Sequence, residues 1–270
     1  MSDLARAVLR LWPTLLAVAA LLGVWQLAAS SGALADALGL DSFLVPSPAE
    51  IGDSLWNDRS LLADNAWVTG KEVVAGFAVA LVLGIATAVL LHLSPLLRRV
   101  SYPLVVASQT IPVIVIAPIL VVWFGFGIGP KVAIIALICF FPIAVNALDG
   151  LATVPPEQRK LMRSLGAGRL RILTMLEAPT ALPFVLSGAK IAAAVAVIGA
   201  VFGEWAGADD GLGHLMLVDN AQLEVARLFA AMVWLSAMAI ALFACLSLIE
   251  RRIAWWGEPA AARDERGGTG

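Results

Sequence analysis

The sequence predicts an all-α membrane protein of about six transmembrane helices, and three observations carry that prediction. Of its 270 residues 60% are hydrophobic and only 14% charged, with a mean hydropathy of +0.90. A soluble domain of this size carries roughly a quarter charged residues. The apolar residues fall into long uncharged runs, and a helix needs about 20 of them to cross a bilayer. The cations, finally, gather in alternate loops. The net charge of -2 says little about partners, because in a membrane protein the position of charge matters more than its sum.

The first span is read at Pro13–Ala29, after a cytoplasmic N-terminus of residues 1–12. Arg6 and Arg10 before an apolar run imitate a signal peptide, but the uncharged stretch from Leu11 to Ala35 exceeds a signal core of about 7–15 residues, so a retained span is expected. A long outer loop follows, from about Ser30 to Glu72. Within it "VPSPAEIGDSLW" has Ser47 and Glu50 at capping-box spacing and Pro48 at the first helical position, predicting a short surface helix. The second span runs from Val73 to Leu91 and the third from Pro103 to Trp123. Pro112 and Pro118 interrupt the third, each removing a backbone hydrogen bond. Ser108, Gln109 and Thr110 sit one turn before the first break. Such interruptions are tolerated in a membrane where protein or a water-lined cavity satisfies the freed groups, which marks a transport path.

The fourth span is read at Val132–Leu148, with Lys131 at its end snorkelling outward. The fifth covers Leu182–Trp205, interrupted by Lys190, and the sixth Leu228–Ile249. Small residues recur at helical spacing, as Gly76, Ala80, Gly84 and Ala88 and again as Gly188, Ala192, Ala196 and Ala200. Such ridges serve either packing within the bundle or a seam with a second copy. Six spans put both termini on one side. The termini and loops on that side hold Arg6, Arg10, Arg98, Arg99, Arg159, Lys160, Arg163, Arg169, Arg171, Arg251, Arg252, Arg263 and Arg266, against Arg59, Lys71, Lys131 and Arg227 opposite, so that side is the cytoplasm. Residues 257–270 read as a disordered cytoplasmic tail.

Chemistry-bearing motifs are few. The only Gly-Lys pair, Gly70-Lys71, lacks the rest of a phosphate loop, so the chain itself should not bind ATP. Cys139 and Cys245 lie in apolar runs without metal-ligand spacing, and His92 and His214 fall at opposite predicted faces; no catalytic set and no metal are expected. Polar groups inside spans are costly and therefore site candidates. Gln109, Thr110, Asn146 and Glu204 are the candidate translocation-path residues, with Lys190 behind them. Their ordinary readings are interhelical bonding for Asn146, outer water for Glu204 and snorkelling for Lys190.

The loop of residues 149–181 is different in kind. "PPEQRKLMRSLGAGRLRILTMLEAP" opens with two prolines and Glu157, good for a helix start, and predicts two short helices turning at Gly166 and Gly168 and ending at Pro179. It is too short and too charged to span. By residue type alone it is a topology anchor or a docking surface.

The spacing from Gly166 to Pro179 resembles the cytoplasmic EAA loop of bacterial ABC-importer permeases, although the triplet itself falls on Lys160, Leu161 and Met162 and departs from the pattern. "FLVPSPAEI", "APILVVWFGFGIGPKVAIIALICFFPIAVNALDGL", "SGAKIAA" and "GEWAGADDGLGHLM" look like the nitrate/sulfonate/taurine-type group of these permeases. "TIPVIVIAPIL" and "LMRSLGA" look most like the branch serving thiamine-pyrimidine precursors. The resemblance implies a type I importer fold across a permease domain of residues 13–256, in the bacterial inner membrane. It implies a transport subunit rather than an enzyme, with no cofactor of its own because ATP is bound by separate cytoplasmic subunits. Glu157, Arg163, Gly166, Ala167, Arg169 and Pro179 would couple to those subunits. A solute-binding protein outside and a second copy of the chain would complete the machinery, surrounded by lipid, and no nucleic acid is involved. Related branches import riboflavin, sulfonates or nitrate. A proton- or ion-coupled carrier, the contrasting class, would show paired intramembrane carboxylates and internal repeats, and the linear sequence displays neither.

Overall fold

The computed structural model describes the backbone of residues 3–253 and side chains from residue 12 onward; the predicted tail at 257–270 lies outside the described residues. These residues form helices joined by short turns. In order they are α1 (Asp3–Ser30), α2 (Ala33–Leu38), α3 (Pro48–Asn57), α4 (Arg59–Leu93), α5 (Pro95–Ala107), α6 (Val113–Phe124), α7 (Ile128–Ala152), α8 (Pro156–Ser164), α9 (Arg169–Ile172), α10 (Ala178–Gly207), α11 (Leu212–Gln222) and α12 (Val225–Ile253). A 3-10 turn at Ser108–Thr110 follows α5, and a π-helical segment at Leu173–Glu177 joins α9 to α10.

Five helical stretches are long and apolar enough to cross a membrane, and the pair α5–α6 makes a sixth crossing if its halves are counted together. Large apolar side chains such as Leu27, Val82 and Val122 stand exposed along them. This is the arrangement expected where lipid, not water, meets the outer surface.

The chain divides into two compact units, Trp67–His214 with the residues from Leu235 onward, and the residues up to Ala66 with Leu215–Trp234. In the latter, Ser47 caps α3 with the expected box: its hydroxyl accepts from the Glu50 amide and the Glu50 carboxylate accepts from the Ser47 amide at 2.7 Å. Gln26 Oε1 accepts from the Ala49 amide at 2.9 Å, and Trp25 meets Phe229 with ring centroids 6.3 Å apart. Buried Asp219 takes both Arg227 Nε and Nη2, at 2.9 and 2.6 Å.

The larger unit is built around α7, against which α10 packs along much of its length. Both ridges of small residues are spent on α7. A Cβ placed on Gly76 would stand 2.5 Å from Ile135 Cβ, and one on Gly188 would stand 2.6 Å from the Pro142 carbonyl oxygen. Close approach within one chain therefore accounts for the two ridges, rather than a seam between copies.

Three expectations about the spans need correction. The outer loop does not reach Glu72, because α4 starts at Arg59 and runs for 35 residues. The third span is not one kinked helix: α5 and α6 are bent by 100° about a break of a few residues. Ile111, before Pro112, has φ -86° and ψ 119°, as the ring of a following proline favours. Pro118, by contrast, stays inside α6, beside fully buried Ala117. Lys131 does not snorkel. It is 6% exposed and pairs at 2.6 Å with Glu72, itself buried, because an inward partner spares both the cost of facing lipid. Leu212–Met216, with His214 among them, form the first turns of α11.

Candidate functional site

The basic hairpin is built from α8, a glycine turn and α9. Pro155 and Pro156 start α8, with Glu157 in its first turn, where an acid suits the positive helix end. Gly166 closes it at φ +79°: its amide donates to the Arg163 carbonyl at 2.9 Å, while the Ala167 amide donates to Met162 at 3.0 Å. That is the doubly bonded glycine stop of a helix, and it satisfies two of the last free carbonyls. Nothing else crowds a Cβ at Gly166, so the left-handed backbone is the whole reason for glycine there. α8 buries none of its residues, and Leu161, Leu165 and Leu170 stand 61%, 74% and 70% exposed. Around them Lys160, Arg163, Arg169 and Arg171 are exposed as well.

The second arm does not end at Pro179. Arg169–Gly207 continues as one span-length helix through the π segment. Proline cannot donate to the carbonyl four residues back and its ring crowds that group, so a widened turn immediately before Pro179 relieves both problems. The hairpin is thus an extension of a membrane helix on one side and a short, unpacked helix on the other.

At its root lies Glu177, 5% exposed. Arg159 Nε donates to Oε1 at 2.6 Å, and His92 Nε2 lies 3.0 Å from Oε2. Arg159 Nη2 also donates to the Leu151 carbonyl at 2.9 Å, and Arg169 Nη2 donates to that of Leu93. A cavity of about 200 Å³ opens beside them, lined by His92, Arg159, Arg163, Arg169, Ile172 and Glu177. Sequence reasoning passed over His92, Arg159 and Glu177. The available signal was Glu177 itself, an acid among arginines five residues before a predicted span.

The predicted path residues are not brought together. Gln109 and Thr110 are exposed on the turn at the α5–α6 break, the Thr110 hydroxyl donating to the Ala107 carbonyl at 2.7 Å. Asn146 is half-buried on α7, donates within its own helix to the Pro142 carbonyl at 2.7 Å, and lies against the site of Gly188. Glu204 is 1% exposed, so it does not reach outer water. It accepts from the Thr69 hydroxyl at 2.6 Å and from the amides of Gly213 and His214, while Thr69 Oγ1 accepts from the Leu212 amide at 2.9 Å. These amides are the free donors of the first turn of α11; Glu204 and Thr69 therefore cap that helix from a distance in sequence. Glu72 lies close enough to interact with Glu204. Paired buried carboxylates thus exist in space, although not in the linear sequence. Both are tied down, one by Lys131 and the other by the α11 cap. Lys190 pairs with Glu250 at 2.6 Å. Among the described residues no cluster suited to a metal occurs.

Apolar helices of membrane-spanning length, one pair of them bent at a break, with an exposed basic hairpin, define a multi-pass membrane protein. Residues 80–255 match the family described as binding-protein-dependent transport system inner membrane component, and the chain belongs to that family. A probable ABC transporter permease protein of Haemophilus influenzae is 36% identical over 247 residues, covering 92% of this chain and 98% of its own. The formylaminopyrimidine transport permease protein ThiX of Halalkalibacterium halodurans is 39% identical over 215 residues, covering 79% of this chain and 86% of its own. The fold is shared with a chain in an inward-facing structure of the MetNI methionine ABC transporter, with a TM-score of 0.65 and 21% identity over 73% of this chain and 98% of that one. The chain is thus a multi-pass inner-membrane permease subunit of an ABC importer. Its relatives are transport components without an ATPase site of their own, and its family works with ATP-binding subunits and a solute-binding protein.

Proposed function

We propose that this permease moves a thiamine-pyrimidine precursor of the formylaminopyrimidine type into the cytoplasm, and that residues 149–181 take up the motion of separate ATP-binding subunits. The observation carrying the coupling role is the exposed apolar tip of Leu161, Leu165 and Leu170 within a ring of cations, beside α8, which buries none of its residues. Its fit is to an apolar groove with an acidic rim on a soluble partner. Glu157 starts α8, Gly166 and Ala167 set the turn, Arg163 and Arg169 offer charge, and Pro179 places the π segment where the second arm enters the membrane. The solute reading rests on the likeness to ThiX.

The path runs past Gln109 and Thr110 at the broken span and past Asn146, whose amide and hydroxyl groups suit a neutral aromatic solute. Glu204 faces the path only in a state where its cap on α11 opens. α6 has 12 residues, about 18 Å of helix, and cannot cross alone. Its exposed apolar face is covered by a second copy of the chain, and lipid meets the remaining surface.

The test is reconstitution of the permease with its ATP-binding subunits and binding protein in proteoliposomes. ATP-driven uptake of formylaminopyrimidine, competed by neither riboflavin nor taurine, is expected. Preference for either competitor refutes the solute. Gly166→Asp forces a side chain into a left-handed backbone; it is expected to abolish uptake and weaken binding of the ATP-binding subunits while leaving membrane insertion intact. Normal uptake at normal expression refutes the coupling role of the hairpin.

A further inference from the structure

We propose that Glu177, held by Arg159 and His92, is the joint that passes movement of the basic hairpin to the membrane helices. This rests on the reading of the hairpin as the ATPase-coupling element. The difficulty it resolves is mechanical. α8 buries no residue, so apolar packing does not fasten it to the bundle. A lever that is not fastened rotates without moving its load.

The fastening is polar and converges on one carboxylate. Both oxygens of Glu177 are used, Oε1 by Arg159 of α8 and Oε2 by His92 near the end of α4. Arg159 reaches on to the Leu151 carbonyl at the end of α7, and Arg169 on the other arm reaches the Leu93 carbonyl at the end of α4. Four elements therefore meet at Glu177: α4, α7, α8 and the π segment leading into α10. A guanidinium is planar, and two of its nitrogens bonded to two separate elements fix its direction as well as its distance. Beneath the joint, Leu91, Leu148, Leu151, Leu173 and Ala181 form a buried apolar cluster, which makes the bundle side rigid. Beside it, the cavity leaves the hairpin side free of packing. The π segment completes the device. In a regular helix, residue 177 would point elsewhere around the axis; the widened turn forced by Pro179 sets where Glu177 points.

The test uses the complete complex in lipid nanodiscs, with spin labels on Lys160→Cys in α8 and Ile191→Cys in α10, in a Cys245→Ser background. Cys139 is buried and is left in place. With Glu177 intact, one narrow label-to-label distance is expected, the same with ATP as with ADP, because hairpin and helix move together. Glu177→Gln keeps the shape and removes the charge. The complex should still assemble and hydrolyse ATP, but the distribution should broaden roughly twofold and differ between nucleotides, because the amide lacks the carboxylate charge and offers one acceptor oxygen where two were used. Arg159→Lys, which keeps one ion pair and loses the second donor, should fall between. A Glu177→Gln distribution as narrow as the parent, and independent of nucleotide, overturns the proposal. So does failure of both variants to accumulate as folded complex, which would make the cluster ordinary stabilising structure. Immobilisation of the Lys160 label on adding the ATP-binding subunits reports docking separately. Docking without a change in the variant sinks the joint alone; absence of docking sinks the underlying reading.

Discussion

Two buried glutamates in the larger unit are satisfied in opposite ways. Glu204 takes a hydroxyl and the backbone amides that open α11, neutral donors fixed by the main chain. Glu177 takes a guanidinium and an imidazole, carried on side chains that are 23% and 14% exposed. Backbone donors cannot move without unwinding a helix. Long side chains can swing while keeping their charge contact. The first arrangement suits a fixed cap and the second a joint. The difference shows that a buried acid in a membrane protein is not one kind of signal: its donors decide whether it holds or transmits.

Removing the cap should have the largest effect. Glu204→Ala leaves three donors without their acceptor, at about 1–3 kcal/mol each for unsatisfied groups, so a loss of roughly 3–9 kcal/mol is expected. The measurement is thermal unfolding of the detergent-solubilised chain, read as the loss of a monodisperse peak after heating. Glu177→Ala, whose partners reach solvent, should cost clearly less. Equal losses at the two glutamates would break the distinction.

The same contrast explains what could be seen before the structure. The spans, the α3 capping box and the Gly166 turn were legible because each depends on residues close in sequence, with apolar length, cap chemistry or left-handed backbone as the cause. The joint and the cap were not legible. Glu204 is joined to Thr69 from 135 residues away, and His92 to Glu177 from 85. No local rule links them, and each looked unremarkable by itself: a histidine at a helix end, an acid beside Trp205. Lys131 and Glu72 were misplaced for a related reason. Snorkelling is the default for a terminal lysine, and only packing of α7 against α4 supplies the inward partner. The break at Pro112 was visible, but its 100° angle was not, because a proline specifies where a helix stops and not where the chain goes next.

Lys131 offers the next test. Lys131→Met removes the partner of Glu72, whose Oε2 already lacks a hydrogen bond among the described residues. Stranding one member of a buried ion pair costs about 3–5 kcal/mol, and replacing both members with uncharged residues of similar size costs far less. The double variant Glu72→Gln with Lys131→Met should therefore unfold at a higher temperature than Lys131→Met alone. If the double variant is the less stable, the pair contributes more than mutual neutralisation, and Glu72 belongs with the cap at Glu204.

The smallest effect separates the two functions of Thr69. Its hydroxyl donates to Glu204 and accepts from the Leu212 amide, so it extends the cap by one bond in each direction. Thr69→Val keeps the shape and deletes both bonds. A cost of about 1–2 kcal/mol follows from one lost hydrogen bond and one stranded amide. Thr69→Ser retains the hydroxyl and should recover most of that loss, less the packing of one methyl group. Amide hydrogen exchange gives the sharper reading. In Thr69→Val the amides of Leu212, Gly213 and His214 should exchange faster, while those beside Glu177 keep their protection, because the cap and the joint lie at opposite ends of α10. Faster exchange at both places would mean that the two glutamates belong to one cooperative network, and the assignment of separate duties to them would fail.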